Sequence, residues 1–121
     1  MTEPAPVPHQ RRQSVRARVR VPVTVTVDGE QVLGTTIDLS EGGAACAIPA
    51  RGSPPARGSV LELTLRLDDV RVWISALVVH VAVRRGWIVT VQFLGAPERD
   101  QDVIRNHVFA VLRRERARGF R

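Results

Sequence analysis

Lysine and tyrosine are absent from this sequence, and aromatic residues of any kind are scarce. With only 4% aromatic residues in a chain of 121, the hydrophobic core has to be built from valine, leucine, isoleucine and alanine. All 18 basic residues are arginine, and with 12 acidic residues the net charge is +6. Because a guanidinium offers a planar fork of donors that fits phosphates and guanine edges, this balance favours an anionic partner: a nucleic acid, a nucleotide, an acidic protein or a membrane surface.

Cysteine and long hydrophobic segments are also nearly missing. The single Cys46 excludes an internal disulfide and a Cys-x-x-Cys metal site, which favours a reducing compartment. The longest apolar run, residues 72–83, is well short of the roughly 20 residues that a membrane-spanning helix needs. Residues 1–10 contain no apolar segment of the signal-peptide type. These absences predict a soluble cytoplasmic protein with no membrane span.

Alternation of apolar and polar residues predicts six β-strands. In the first, from Val19 to Val27, the valines face one way and the arginines and threonines face the other. Asp28-Gly29 is a strong hairpin-turn signal, because glycine tolerates positive φ, and a second strand follows at about Gln31 to Leu39. Further strands are expected at 44–48, 60–67, 70–83 and 87–95, with a loop rich in proline and glycine at 49–58.

After Pro97 the hydrophobic period changes from two residues to between three and four. The positions that recur at this spacing are Val103, Ile104, His107, Val108, Val111 and Leu112. They mark one face of a helix at about 97–118. The sequence thus predicts a mainly β fold over residues 11–118, a small antiparallel six-stranded β-barrel with a C-terminal α-helix. Residues 1–10, with three prolines and little to bury, are expected to be a disordered tail.

Arginine clusters occur at both ends of the predicted domain. RRQSVR at 11–16 and RRERAR at 113–118 share the pattern Arg-Arg-x-x-x-Arg. In a chain so rich in arginine, an Arg-x-x-x-Arg pair is expected about two or three times by chance, so the pattern alone carries little information. We expect RRERAR to be the solvated end of the helix.

The segment DLSEGG, residues 38–43, is far less probable by chance. The pattern Asp-x-Ser-x-x-Gly is expected only about 0.02 times in a chain of this length and composition. Its position is also informative, because it ends the second predicted strand whereas RRQSVR leads into the first. In a hairpin that turns at Asp28-Gly29, the open end brings Arg16 near Asp38.

In these two motifs the sequence resembles the PilZ domain, a small β-barrel that acts as a bacterial receptor for cyclic di-GMP. The RRxxxR motif of that family corresponds to Arg11, Arg12 and Arg16, and its DxSxxG motif to Asp38, Ser40 and Gly43. The long strand through VVHV, the strand that ends in VQF and the C-terminal helix also look like the family. The resemblance covers essentially residues 10–115 and implies a stand-alone PilZ-like barrel.

The resemblance implies a second-messenger receptor in which both motifs contact cyclic di-GMP. The guanidinium group of an arginine fits the O6 and N7 acceptors of guanine. The Asp38 carboxylate can accept hydrogen bonds from the donors on the other edge of the guanine base. Ser40 can add a hydroxyl contact, and Gly43 lets the backbone approach the ligand. His80 aligns with a position on the long strand where family members often have an aromatic residue near a guanine. Residues 11–16 are expected to order over the nucleotide and so to signal to a downstream effector protein.

Two other functions fit parts of the sequence. An RNA- or DNA-binding barrel would explain the net charge of +6, with Trp73 and Trp87 as the candidates for base stacking. A PilZ-like barrel that binds no nucleotide and serves as a protein-interaction adaptor is the third hypothesis. Catalysis is not expected, because no nucleophile with its base, no phosphate loop and no metal-ligand spacing is present. No cofactor is implied apart from the ligand.

Overall fold

A computed structural model describes residues 16–119 of the chain. The predicted tail at 1–10 and the candidate ligand contacts Arg11 and Arg12 lie outside the described residues. In chain order the elements are β1 (Pro22–Val27), β2 (Glu30–Ser40), β3 (Gly43–Ile48), β4 (Val60–Leu67), β5 (Val70–Arg84), β6 (Gly86–Leu94) and the helix α1 (Glu98–Gly119).

The six strands form a closed antiparallel barrel. Around the barrel the order is β1, β2, β3, β6, β5, β4, and β1 closes the ring by pairing with both β2 and β4. Alternate side chains of the strands fill the interior, which consists mainly of valine, leucine, isoleucine and alanine. The predicted fold class, a mainly β six-stranded barrel with a C-terminal helix, is confirmed.

The predicted start of the first strand at Val19 is wrong, since β1 begins at Pro22. Val19 and Val21 are nevertheless buried, as the alternating pattern predicts. Their backbone is held largely by one side chain of β2: the Thr36 hydroxyl accepts a hydrogen bond from the Val21 amide (2.9 Å) and donates one to the Val19 carbonyl. Residues 19–21 are therefore held against β2 without forming a regular strand.

Tight turns lie at both ends of the barrel. Asp28 and Gly29 have φ values of 51° and 79°, so the predicted hairpin turn between β1 and β2 is confirmed. At the other end, Asp68 (φ 56°) begins the turn between β4 and β5. The β2–β3 turn lies at this second end as well, because consecutive strands run in opposite directions.

Helix α1 lies across the end of the barrel that carries the β2–β3 and β4–β5 turns. Ile104 and Val108 are fully buried in the core, and Val111 packs against its edge, so the predicted apolar face of the helix is confirmed. His107, on the same face, places its Nδ1 atom 3.6 Å from Oδ2 of Asp68 in the β4–β5 turn. The helix therefore covers the core at the end of the barrel where the DLSEGG motif lies.

The two tryptophans lie on opposite faces of the barrel wall. Trp87 points inward and is 5% exposed, whereas Trp73 points outward and is 73% exposed. The expectation that Trp87 is available for base stacking is therefore wrong, because its ring is part of the core.

Candidate functional site

A β-bulge in β2 sets the direction of Asp38. Thr36 and Leu39 both point into the core, because the pairing of β2 with β3 shifts register between Thr36 and Asp38. An extra residue in one strand moves the side chains that follow it to the opposite face. Asp38 therefore faces the outside of the barrel, opposite Ala45 of β3.

Arg16 and Asp38 meet at the open end of the first hairpin, as the hairpin geometry predicts. Ala17 pairs with Leu39 through two backbone hydrogen bonds of 3.1 and 2.9 Å, which places Arg16 beside β2. The Arg16 Nη1 atom lies 3.4 Å from Asp38 Oδ1. This ion pair lacks the alignment of a hydrogen bond, so within residues 16–119 the buried Asp38 Oδ1 has no hydrogen-bond partner. The site thus contains a buried acceptor atom that no described residue satisfies with a hydrogen bond.

The Ser40 hydroxyl organises the turn between β2 and β3. It accepts hydrogen bonds from the amides of Gly42 and Gly43, both at 3.1 Å, and donates one to the Gly43 carbonyl at 3.3 Å. The side chain is buried, with 1% exposure. A serine that bonds to its own turn in this way holds the local backbone in one conformation. Ser40 therefore fixes the backbone that carries Asp38.

Gly43 is required by the packing of β3 against β6. A Cβ atom at this position would lie 2.3 Å from the Val91 carbonyl oxygen, closer than real contacts allow. The adjoining Gly42 carbonyl accepts a hydrogen bond from the Phe93 amide at 2.9 Å. Gly43, the last residue of DxSxxG, thus allows β6 to approach the turn closely. The sequence alone does not reveal this reason for a glycine at position 43.

A row of outward-facing side chains continues from Asp38 across three further strands. Asp38 pairs with Ala45, Ala45 with Thr90, and Thr90 with His80. A second bulge, between Val78 and His80 in β5, lies at the far end of the row, where His80 is exposed. Three strand spacings cover roughly 14 Å of barrel surface. The two residues between Asp38 and His80 in this row, Ala45 and Thr90, have small side chains.

Helix α1 is tied to the motif turn through Glu41. Arg105 donates from Nε to Glu41 Oε1 at 2.5 Å and from Nη1 to Asp102 Oδ1 at 2.8 Å. The hydrogen bond and the charge of Glu41, together with Asp102, raise the pKa of Arg105 above its ordinary value. The sequence gives no signal for this contact, because Glu41 and Arg105 are 64 positions apart. The turn that carries DLSEGG is therefore linked directly to the helix.

Cys46 lies inside the barrel, near Asp38. Burial, and to a lesser extent the negative charge of Asp38, raise the pKa of the Cys46 thiol to about 12. A thiol with so high a pKa stays protonated and unreactive at neutral pH. Within residues 16–119, no group of three or more histidine, cysteine, aspartate or glutamate side chains is arranged to hold a metal ion.

The second arginine cluster, RRERAR, lies on the exposed last turns of α1. This placement confirms the expectation of a solvated helix end. Among the described residues, Asp38 forms its ion pair with Arg16 and with no arginine of RRERAR. The two arginine clusters look alike in sequence, but only the first has a described residue, Arg16, beside the DLSEGG motif.

A closed six-stranded barrel, covered at one end by a helix and carrying an arginine–aspartate pair beside a serine-bonded turn, has the architecture of a PilZ-type barrel. The chain belongs to the PilZ domain family, whose model matches residues 10–110. Comparison with curated proteins gives no match.

Solved structures share this fold at low sequence identity. The Bacillus subtilis inhibitor of motility MotI/DgrA is 22% identical, with a TM-score of 0.75 over 85% of this chain and 51% of that one. The PilZ domain of Escherichia coli YcgR with c-di-GMP is 15% identical, with a TM-score of 0.75 over 93% of this chain and 99% of that one. A structure of YcgR in complex with c-di-GMP is 17% identical, with a TM-score of 0.73 over 92% and 51%.

The chain thus spans about half the length of MotI/DgrA and of the YcgR chain in that complex. At these identities the likeness shows the fold alone. Within residues 16–119, no helix is long and apolar enough to cross a bilayer.

Proposed function

We propose that this PilZ domain binds cyclic di-GMP and passes a conformational signal to a partner protein, without catalysing a reaction. The proposed site consists of Arg11, Arg12, Arg16, Asp38, Ser40 and Gly43, with His80 at its far edge. Membership of the family supports the ligand class, and two structures that share this fold are of YcgR with c-di-GMP.

The Oδ1 atom of the Asp38 carboxylate is the observation that carries the proposal. This atom is buried and has no hydrogen-bond partner among the described residues. An acceptor left in that state costs about 1–3 kcal/mol. The N1–H and N2–H2 edge of guanine presents parallel donors that a carboxylate accepts well. A guanine edge would therefore satisfy Asp38 where Arg16 does not.

Arginines supply the complementary half of the recognition. A guanidinium binds the O6 and N7 atoms of guanine bidentately, for about 1–3 kcal/mol of discrimination, and it also binds phosphate. Arg16, the last residue of the RRxxxR motif, already lies beside Asp38. Arg11 and Arg12 are proposed to close over the nucleotide. Because ordering six residues costs roughly 6–12 kcal/mol, these contacts have to form together, which suits a switch.

Ser40 and Gly43 contribute mainly through the shape of the turn. The hydroxyl of Ser40 and the missing Cβ of Gly43 hold the backbone from which Asp38 projects. His80, exposed at the other end of the row that starts at Asp38, is proposed to stack on a purine or to hydrogen-bond with it. We expect replacement of His80 to weaken binding less than replacement of Asp38.

Isothermal titration calorimetry with cyclic di-GMP tests the proposal. The wild-type chain is expected to bind saturably with a small fixed stoichiometry. Arg12→Ala is expected to lose binding, whereas Arg114→Ala, which alters the helix cluster instead, is expected to retain it. Absence of heat from the folded wild-type chain would refute the receptor function and leave the adaptor function in its place.

The same variants distinguish a nucleotide receptor from a nucleic-acid-binding barrel. Burial of Trp87 leaves Trp73 as the one exposed tryptophan, so the surface for base stacking is small. Equal losses in Arg12→Ala and Arg114→Ala would indicate diffuse charge recognition. Oligonucleotide binding that falls steeply with salt would indicate the same, because each phosphate contact releases counterions.

A further inference from the structure

A cleft of about 810 Å³ lies between residues 18–22, the end of β4 and the second half of α1. Its lining includes five arginines, namely Arg18, Arg20, Arg66, Arg114 and Arg118. Among the described residues, only two carboxylates, those of Asp68 and Glu115, line it as well. No residue of RRQSVR or DLSEGG among the described residues belongs to this lining, so the cleft is distinct from the proposed nucleotide contacts.

Most of the cleft arginines have no counter-charge from the described part of the chain. No ion pair or hydrogen bond joins the side chains of Arg18, Arg20, Arg66 or Arg114 to another residue within 16–119. Asp68 also lines the cleft, but its Oδ2 atom lies 3.6 Å from Nδ1 of His107, so this carboxylate lies against the histidine. Unneutralised charges of one sign that are focused in a concave surface attract a partner of the opposite sign.

The strand that borders the cleft carries a second unusual feature. Arg66 of β4 lies directly opposite Arg71 of β5, and both side chains are exposed. Like charges at directly opposed positions destabilise an antiparallel pair, and such local conflicts are expected at functional sites. Arg71 is followed on the same face by Trp73, which is 73% exposed. Arginine and tryptophan are enriched among the side chains that dominate binding energy in protein interfaces.

We propose that this arginine cleft, formed by residues 18–22, 66–68 and 107–118, is a docking site for an acidic segment of a partner protein. Carboxylates would pair with the guanidinium groups of Arg18, Arg20, Arg66 and Arg114, which the described part of the chain leaves without a counter-charge. Apolar atoms of Pro22 and Val111 also line the cleft, so a segment with apolar residues between its acidic ones fits best. The proposal identifies a surface for the partner, and it holds whether or not the domain binds cyclic di-GMP.

A nucleic acid fits this cleft less well than an acidic protein segment. The carboxylates of Asp68 and Glu115 would repel phosphates. Within residues 16–119 no aromatic ring of phenylalanine or tryptophan lines the cleft for base stacking. A membrane is also disfavoured, because a lipid surface does not follow a concave wall. The chemistry of the lining therefore selects the acidic segment.

Heteronuclear NMR of the isotope-labelled full chain, without cyclic di-GMP and at about 0.15 M salt, tests this proposal. The probe is a synthetic peptide of roughly 12 residues in which glutamates alternate with leucines, as a model of a groove-binding segment. Its matched control has glutamine in place of every glutamate. We expect saturable shift changes confined to residues 18–22, 66–68, 71–73 and 107–118 with the acidic peptide, and none with its control.

Charge-reversal variants assign the binding to the cleft. The double variant Arg66→Glu/Arg114→Glu is expected to weaken peptide binding at least about tenfold. The double variant Arg84→Glu/Arg85→Glu has the same net charge and changes the exposed β5–β6 turn at the opposite end of the barrel. It is expected to bind the peptide as the wild type does. Arg18 is left unchanged in this test, because it lies two positions from Arg16.

Three results would overturn the proposal. They are absence of peptide binding, equal weakening in the two double variants, and shift changes scattered over the whole surface. Tighter binding of a single-stranded oligonucleotide, lost in Arg66→Glu/Arg114→Glu, would assign the cleft to nucleic acid instead. Calorimetry of that double variant with cyclic di-GMP keeps the two proposals separate, because we expect its nucleotide binding to be retained.

Discussion

The guanidinium of Arg16 lies 3.4 Å from the carboxylate of Asp38, yet the two groups are not aligned for a hydrogen bond. They belong to the two sequence motifs, and the pairing of Ala17 with Leu39 brings them together. Because the pair is exposed on the arginine side, with 51% of that side chain accessible, it adds little to stability. An ion pair of this kind is easily rearranged by a ligand that satisfies both partners better.

Replacing Asp38 with alanine is expected to separate binding from stability. The variant should bind cyclic di-GMP at least about 100-fold more weakly, because two charge-assisted hydrogen bonds of about 1.5–3 kcal/mol each are lost. Its melting temperature should stay unchanged or rise, since Asp38 Oδ1 is buried without a hydrogen-bond partner among the described residues. Calorimetry and thermal unfolding measure the two effects. Asp69→Ala, in the exposed β4–β5 turn, is the control and should change neither.

Replacing Thr36 with valine is expected to destabilise the domain by about 1–3 kcal/mol. The substitution leaves the Val21 amide and the Val19 carbonyl without the hydroxyl that joins them. Thr24→Val, on the outer face of β1, removes a hydroxyl with no such role and should change stability by less than about 0.5 kcal/mol. Urea unfolding measures both. Similar effects of the two variants would show that Thr36 does not pin residues 19–21.

Replacing Gly43 with alanine is expected to cost about 3 kcal/mol, at the upper end for overpacking. The added Cβ would lie 2.3 Å from a backbone carbonyl oxygen of Val91, which cannot move aside as a side chain can. Gly52→Ala meets no atom within 4 Å but has φ of +62°, so it should cost only about 1 kcal/mol. Chemical denaturation compares the two. If Gly43→Ala were the milder change, the close approach of β6 would not explain this glycine.

The stability of the domain is expected to fall between pH 9 and pH 12 because of Cys46. Its thiol has a pKa of about 12 in the folded chain, against an ordinary value of 9.0. In this window the unfolded chain loses the proton that the folded chain keeps, so ionisation favours unfolding. The stabilisation is complete below pH 9 and declines by up to about 1.4 kcal/mol per pH unit above it.

The amino-acid composition allows the effect of Cys46 ionisation to be measured with little interference from other side chains. The chain has no lysine and no tyrosine, so no other side chain ordinarily titrates between pH 9 and pH 11. Urea unfolding at pH 8 and pH 10.5 should show the loss in the wild type and not in Cys46→Ala. Equal declines in both proteins would contradict the assignment. In the folded chain at pH 8, Cys46 should also resist alkylation that proceeds readily after denaturation.

The strands, the helix and the meeting of Arg16 with Asp38 could be predicted because each has a local signal. Alternation marks the strands, a period of three to four marks the helix, and the Asp28-Gly29 turn fixes the register of the first hairpin. Once that register is known, the residues at the open end of the hairpin follow by counting.

Other features could not be predicted because their causes lie far away in the chain. The barrel itself could be predicted, but the order of its strands, with β1 paired to β4, depends on pairings between distant segments. The contact of Glu41 with Arg105 likewise joins a turn to a distant helix. The bulge before Asp38 leaves only a weak trace, a change in which positions of β2 are apolar. The need for glycine at position 43 also has a distant cause, because the atom that excludes a Cβ there belongs to Val91 of β6.

Closure of the barrel also limits the ways in which this domain can be recognised. Since β1 pairs with both β2 and β4, the six strands form a closed ring, and one-sided pairing is left to strand segments that extend beyond it, such as residues 30–34 of β2 and 79–84 of β5. A partner chain could add a strand only at such short extensions, not around the ring itself. Recognition elsewhere on the ring has to pass through side chains and turns. Evolution can therefore change the partner of such a barrel by altering surface residues, while the hydrogen-bonded wall remains the same.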